Sequence, residues 1–328
     1  MFSPHSKTFR RLLFSLLAFA LLATACGSSE SSEAAASDPE GEAVDATEAS
    51  TESAELPPLR IGAIPDQEPE RLQRTYDLLA DYLEAEIDGL TVEYVPVTEY
   101  SSAVTGFQVG DFDAVWFGGL TGVQARLEVE GSNAFLQRDI DESFTSVFIA
   151  RADAGIDPFG SVDGLSALAG RSFTFGSESS TSGRLMPQSF LSNAGIDASA
   201  DFAGDPGFSG SHDATIEVVA AGSFEVGALN SQVWDARVEE GVVNTDEVIE
   251  IFRTPPYFDY HWVAQPDLDS RFGEDFTTDL TDAFLGLDVS NPDHADILDL
   301  FGAGAFIVTD NDNYEAIELV GRETGLIR

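Results

Sequence analysis

The stretch LRIGAIPDQEPERLQRTYDLLADYLEAEIDGLTVEYVPV, residues 59–97, sets the architecture. Its first seven residues are an apolar strand run ended by Pro65. Leu72, Tyr76, Leu79, Leu83 and Ile87 then recur at intervals of three and four, one face of an amphipathic helix, and TVEYVPV (91–97) alternates as a strand does. FDAVWFGGL (112–120) is a further apolar run, stopped by two glycines. Strand, helix, strand, helix, strand in that order requires crossover connections, and so predicts a parallel sheet carrying helices on its faces.

A second half of similar make-up follows. FTSVFIARAD (144–153) reads as a strand, LAGRSFTFGS (168–177) as a helix end leading into a strand, and a helix is expected from about Ser182 to Asn193. HDATIEVVAAGSFEVGALN (212–230) reads as helix, Gly222, strand; VIEIFRTPPYFDYHWVAQP (248–266) as two strands around a Pro-Pro turn. The remainder is largely helical, FTTDLTDAFLGL and NPDHADILDLF being its clearest pieces. Two α/β halves predict two lobes joined by two crossings: residues 59–149 with 262–328 in the first, 150–261 in the second. A ligand then belongs in the cleft between them, at strand ends and helix N-termini.

The flanking sequence speaks of export. HSKTFRR, then LLFSLLAFALLA, then TAC follow the basic, apolar and small-residue order of a secretory signal over residues 1–25. Cys26 is the only cysteine and falls where a bacterial lipobox places its lipidated residue; LATAC resembles that motif. Lipidation of Cys26 leaves no thiol for a disulfide, and would hold the protein on the outer face of the cytoplasmic membrane or in the periplasm. Residues 27–58 contain no Lys, Arg or aromatic residue, a composition that cannot bury enough apolar surface to fold and suits an acidic tether.

With 58 acidic against 16 basic residues the formal charge is −42, which argues against nucleic acid and anionic lipid surfaces as partners. An anionic ligand would have to be held by local donors, remote carboxylates being screened beyond a Debye length of about 8 Å at physiological salt.

Such donors are concentrated in FGSESSTSGRLMPQSFL (175–191), where six hydroxyl side chains and two glycines precede a helix. The first turn of a helix leaves N–H groups unpaired and carries partial positive charge, so it receives anions. Ser180, Thr181 and Ser182 can add O–H donors, and Gly183 lets a ligand approach the backbone; a plain serine N-cap would account for one hydroxyl of the cluster. GFSGSHDATIEVV (207–219) is a similar turn entering a helix at His212, which is either a donor to an oxyanion or a surface histidine without a task. Asp66 and Gln67 in IPDQEPERLQ, and Gly118, Gly119, Leu120 and Thr121 in VWFGGLTGVQAR, occupy corresponding entries. Arg138 and Arg184 could each add a full charge to the cleft or pair with a nearby acid.

STSG followed by SGSH and VGALNSQVW, with PVTEYSSAV and GDFDAVWFGG upstream, resembles the phosphate/phosphite/phosphonate family of ABC-transporter solute-binding proteins, the PhnD-like group. The resemblance covers nearly all of residues 59–328. IPDQEPERLQRTYDLLADYL and WFGGLTGVQAR are similar to the branch labelled selenate-binding. The resemblance implies an α/β protein of the type II periplasmic-binding-protein fold, a monomer, with a membrane permease and its ATPase as partners. In that family the Ser-Thr-Ser turn and the histidine grip the oxyanion, which carries over onto Ser180, Thr181, Ser182 and His212. Phe117 stands where phosphonate binders have a cleft tyrosine, and Tyr100 matches a second one. Where relatives that take amino-alkyl ligands place acids, this chain has Asn230 and, near the second crossing, PYFDYHW with Tyr257, so an amino group is poorly served unless Asp259 faces inward; that departure favours a small bare oxyanion.

Enzyme chemistry finds little support. No G-x-S-x-G elbow, P-loop or G-x-G-x-x-G occurs, and His5, His212, His261 and His294 lack metal-ligand spacing. No cofactor or metal is expected. The competing functions are a ligand-sensing lipoprotein of the same fold and a hydrolase of phosphate or sulfate esters. Phe117 as an apolar wall would suit the P–H or P–C face of phosphite or a phosphonate, whereas selenate would prefer donors all round.

Overall fold

The computed structural model describes residues 56–328, so the signal, Cys26 and nearly all of the expected tether lie outside the described residues. The chain opens with β1 (Leu59–Ala63), α1 (Pro69–Glu86), β2 (Val92–Tyr94), α2 (Tyr100–Gln108), β3 (Ala114–Phe117), α3 (Gly119–Glu128) and β4 (Asn133–Arg138). It continues through β5 (Ser146–Arg151), β6 (Phe173–Phe175), α4 (Met186–Asn193), β7 (Gly207–Phe208), α5 (His212–Ala220), β8 (Val226–Asn230), α6 (Ser231–Glu239) and β9 (Val248–Arg253). It ends with β10 (His261–Ala264), α7 (Leu268–Phe272), α8 (Phe276–Leu285), α9 (Pro292–Phe301), β11 (Phe306–Val308) and α10 (Glu315–Glu323).

Two sheets result, ordered β11-β4-β10-β3-β1-β2 and β7-β6-β8-β5-β9. The parallel pairing expected from the opening stretch is present in β1 with β2 and β3, and again in β6 with β7 and β8. β10 runs antiparallel to β3 and β4, and β5 antiparallel to β8 and β9. β5 and β10 each enter their sheet from the other one without a crossover α-helix to turn the chain around, β5 after a short 3-10 turn at Asp139–Ser143, and so arrive in the opposite sense.

The helical stripe read from the sequence is the core face of α1: Leu72, Tyr76, Leu79 and Leu83 are buried, and Ile87 packs partly buried beside them. Pro69 starts the helix, where its fixed φ and missing N–H cost nothing. β5 is apolar from Val147 to Ala150 because both its faces are covered. Phe148 and Ala150 join one cluster of the second lobe, Val147 and Ile149 the other.

The chain changes sheet at residues 139–145 and 254–260. The boundary expected at 149/150 therefore cuts through β5, which pairs with β8 from Ser146↔Asn230 to Ala150↔Val226 and lies wholly in the second lobe. Likewise β10 opens the return to the first lobe at His261 rather than at 262. An apolar strand carries no mark of which sheet it will join, and this displaced the boundary. The Pro-Pro segment is not a hairpin turn, since β9 and β10 belong to different sheets. It is the second crossing, tied to the first by an antiparallel bridge between Phe144 and Tyr257.

Candidate functional site

The Ser-Thr-Ser segment leaves β6 and enters α4 through a single π turn, Thr181–Leu185, in which the Leu185 N–H reaches the Ser180 carbonyl at 2.9 Å. Such wide turns recur at functional sites because they re-aim side chains without ending a helix. Ser180, Thr181 and Ser182 are all buried. Ser180 Oγ accepts the Gly183 N–H at 2.9 Å, so the ordinary capping role is present and leaves its O–H to donate elsewhere. Thr181 reaches across to the first lobe, where its Oγ1 accepts the Leu120 N–H at 2.9 Å. The Ser182 carbonyl accepts the Ser146 hydroxyl at 2.7 Å.

Gly118 sits at that crossing point. A Cβ there would stand 3.1 Å from Thr181 Oγ1 and 3.3 Å from Asp259 Oδ1, so glycine is what allows the lobes to meet. The next residue, Gly119, donates its N–H to Asp259 Oδ1 at 2.9 Å. The N-terminus of α3 is thus met by one hydroxyl and one carboxylate, both from outside the first sheet.

His212 is completely buried, which removes the surface-histidine alternative. Its backbone N–H donates to the Asp66 carbonyl at 2.9 Å, another contact between lobes. Because Nδ1 accepts the Asn230 N–H at 3.3 Å, the ring proton belongs on Nε2, which lies 3.2 Å from the Tyr260 hydroxyl. Asn230 Oδ1 caps α6 through the Val233 N–H, and its Nδ2 donates to the Tyr260 hydroxyl at 3.1 Å. Tyr260 passes its own proton on to Asp66 Oδ2 at 2.8 Å. Burial pushes the His212 ring down to about 4, which keeps it neutral.

Two buried carboxylates face the same space. Burial raises Asp66 to about 6 against the pull of the Tyr260 hydroxyl, and raises Asp259 to about 7 against the pull of the Gly119 N–H. Asp259 Oδ2 and the Tyr100 hydroxyl are both buried without a hydrogen-bond partner. Tyr100 lies beside Asp66, Ser180 and Asp259, and burial with these neighbouring carboxylates raises its pKa, so its O–H remains a donor.

Other expected residues are placed differently. Phe117 is completely buried and stands edge-on to Phe107 of α2, 5.8 Å between ring centres, within the core of the first lobe. Tyr257 belongs to the crossing, its hydroxyl 2.6 Å from Ser146 Oγ. Gln67 is half-buried between Asp66 and Glu68, whose N–H donates to Asp213 Oδ2 across the lobes at 3.1 Å. Arg184 lies over the rings of Phe175 and Phe208 at 4.4 and 4.9 Å and not against an acid, while Arg138 makes the ion pair foreseen as its alternative, with Asp141. Tyr260 was missed from the sequence. Its signal was its two-residue offset from Trp262 in an alternating strand end.

Comparison with known proteins bears on this geometry. The family described as "ABC transporter, phosphonate, periplasmic substrate-binding protein" matches residues 61–314. The chain is 46% identical over 270 residues to the probable ABC transporter phosphite binding protein PhnD1 of Prochlorococcus marinus strain MIT 9301, covering 82% of this chain and 91% of that one. The solved structure of PhnD1 in complex with methylphosphonate matches with a TM-score of 0.80, covering 82% of this chain and 99% of that one. A binding-protein component of an ABC phosphonate transporter from Pseudomonas aeruginosa, 18% identical, shares the fold with a TM-score of 0.71, over 82% and 87% of the two chains. The fold is that of type II periplasmic binding proteins, and capture rather than ester hydrolysis is the task of such proteins. The chain belongs to the phosphonate family of periplasmic substrate-binding proteins of ABC transporters.

Proposed function

We propose that the protein captures a small, singly protonated phosphorus oxyanion, phosphite or methylphosphonate, between its lobes and presents it in the closed form to a membrane permease. The observation that carries this is the pair of unpartnered buried atoms, a donor in the Tyr100 hydroxyl and, in the ionised form of a carboxyl raised to about 7, an acceptor in Asp259 Oδ2. A buried polar atom left unpaired costs about 1–3 kcal/mol, which a ligand of matching character recovers. A monoprotonated phosphite or phosphonate offers both oxygen acceptors and one O–H donor. Sulfate and selenate, fully ionised at neutral pH, offer no donor and would bring full charge against Asp66 and Asp259. Ser180, Thr181 and Ser182 supply the neutral cradle, with His212 and Asn230 fixing Tyr260 behind it. The 46% identity to a phosphite-binding relative supports the same choice.

Calorimetry of the purified protein against phosphite, methylphosphonate, phosphate, selenate, selenite and sulfate at neutral pH tests it. Phosphite and methylphosphonate are expected to bind at least about a hundredfold more tightly than sulfate or selenate, a gap of some 2.8 kcal/mol. Binding by none of the six, or preference for selenate, refutes the proposal. The protein is further proposed to be a monomer tethered to the membrane through lipid on Cys26. Cys26→Ser is expected to move it from the membrane fraction to the soluble one, and unchanged membrane association would rule the anchor out.

A further inference from the structure

The Arg138–Asp141 pair lies behind the cradle and the capture described above makes no use of it. Both residues are buried, Arg138 3% and Asp141 0% exposed. A buried ion pair rarely stabilises a fold better than apolar side chains of the same volume, because desolvation consumes its attraction. Its surroundings point to another use. Asp141 receives Arg138 as a fork, Nε on Oδ2 and Nη2 on Oδ1, each at 2.8 Å. The same residue holds two successive N–H groups of the second crossing: Asp259 N on its carbonyl oxygen at 3.2 Å and Tyr260 N on Oδ1 at 3.3 Å. Arg138 Cζ lies 4.8 Å from the centre of the Tyr260 ring, and Nη1 is anchored on the Phe301 carbonyl at 2.6 Å. Trp116 stacks on the same tyrosine, 5.7 Å between centres and 22° between planes.

The charges around the cradle are unbalanced without this cation. Asp66 faces Tyr260, Arg138 and Asp213, while Asp259 faces Asp141, Thr181, Arg138 and the Gly119 N–H. Asp213 already has its own partner in Arg237, at 2.7 Å. Three carboxylates, Asp66, Asp141 and Asp259, therefore share one buried guanidinium before any anion arrives. We infer that the Arg138–Asp141 pair is a positioning device for the anion site: Asp141 aims Asp259 and Tyr260, and Arg138 supplies, through the Tyr260 ring, the charge that lets an anion settle beside carboxylates. The inference rests on the capture of a phosphorus oxyanion proposed above.

The test compares the full-length protein with Arg138→Met/Asp141→Leu, which removes both charges and keeps most of the volume, using methylphosphonate titrations from pH 5 to 8 alongside thermal melts. The double variant is expected to melt near the parent while binding about tenfold or more weakly. Its affinity is also expected to fall over a wider pH span than the parent's, because Asp66 loses the cation that favours its ionised form and moves up, while Asp259 loses the Asp141 charge, which raises it more than Arg138 lowers it, and moves down. The ligand's own titration is common to both proteins and drops out of the comparison. Affinity within about twofold of the parent's, or weakened affinity on an unmoved pH profile, overturns the inference. Should the double variant not fold, Arg138→Lys decides: it keeps the charge and breaks the fork, so binding about three- to tenfold weaker is expected and binding equal to the parent's is refuting. Failure of the unaltered protein to bind methylphosphonate or phosphite defeats the capture proposal instead, which keeps the two failures distinct.

Discussion

Asp259 concentrates the chemistry of the site in one side chain. One of its oxygens is bound by the Gly119 N–H, the other is unpartnered, and burial raises its pKa from 3.8 to about 7. In the folded protein it thus keeps a proton that the unfolded chain gives up near pH 4. The sign follows from this difference: folding is favoured at low pH, and that advantage is lost as pH rises through about 7. Asp259→Asn keeps an oxygen for Gly119 and has nothing to ionise. It is expected to be the more stable protein at pH 8 by something of the order of 2–4 kcal/mol, at about 1.4 kcal/mol per unit, with the gap closing towards pH 4. Urea melts at the two pH values check this, and an equal difference at both would contradict it. The sequence made Ser180, Thr181 and His212 conspicuous because hydroxyls and histidine cluster at turns there. Asp259 drew notice only through the resemblance, as an acid that matters if it faces inward, since local composition says nothing about which of 58 carboxylates is drawn inside.

At the scale of elements, the decisive contact is between the start of α3 and the π turn before α4. The two approach so closely that Thr181 Oγ1 becomes a partner of the Leu120 N–H, a group α3 cannot satisfy itself. Gly118→Ala puts a methyl carbon within 3.1 Å of that oxygen. It is expected to hold the lobes apart, weaken anion binding by about tenfold and enlarge the radius of gyration measured with saturating ligand. A compact, fully closed complex would show that the lobes tolerate the methyl. The elements themselves were largely legible: the α1 stripe and the entries at 118–121, 180–183 and 212 are where periodicity and turn chemistry put them, and strands lie within the runs 59–65 and 91–97, shortened to Leu59–Ala63 and Val92–Tyr94. Sheet membership was not. β5 and β10 look like any other apolar strand, and their reversed direction comes from the crossings, a property of topology and not of composition.

Over the whole molecule the net charge of −42 opposes the approach of an anion, whereas the cradle proposed to hold it is made of neutral donors and one screened guanidinium. Salt should therefore accelerate capture, the reverse of electrostatically steered association, while changing dissociation far less. Stopped-flow fluorescence can follow this, because Trp116 stacks on Tyr260 and so adjoins the site. An association rate that rises between 50 mM and 500 mM sodium chloride, concentrations spanning Debye lengths of about 14 to 4 Å, is the expected outcome, and a falling rate would point to a positive funnel. The crossing strands add a mechanical consequence. Phe144, Tyr257, Asp259 and Tyr260 lie within the same two short segments, so Asp259 and Tyr260, proposed above to serve the anion site, would be mounted on the axle of any turning of one lobe against the other. A force applied at an axle has almost no lever arm, and a small displacement there appears as a large sweep at the rim where Arg71 of α1 meets Glu240 just beyond α6. A permease docked across that rim would sense an angle, and would need no contact with the anion to know that the cleft is loaded.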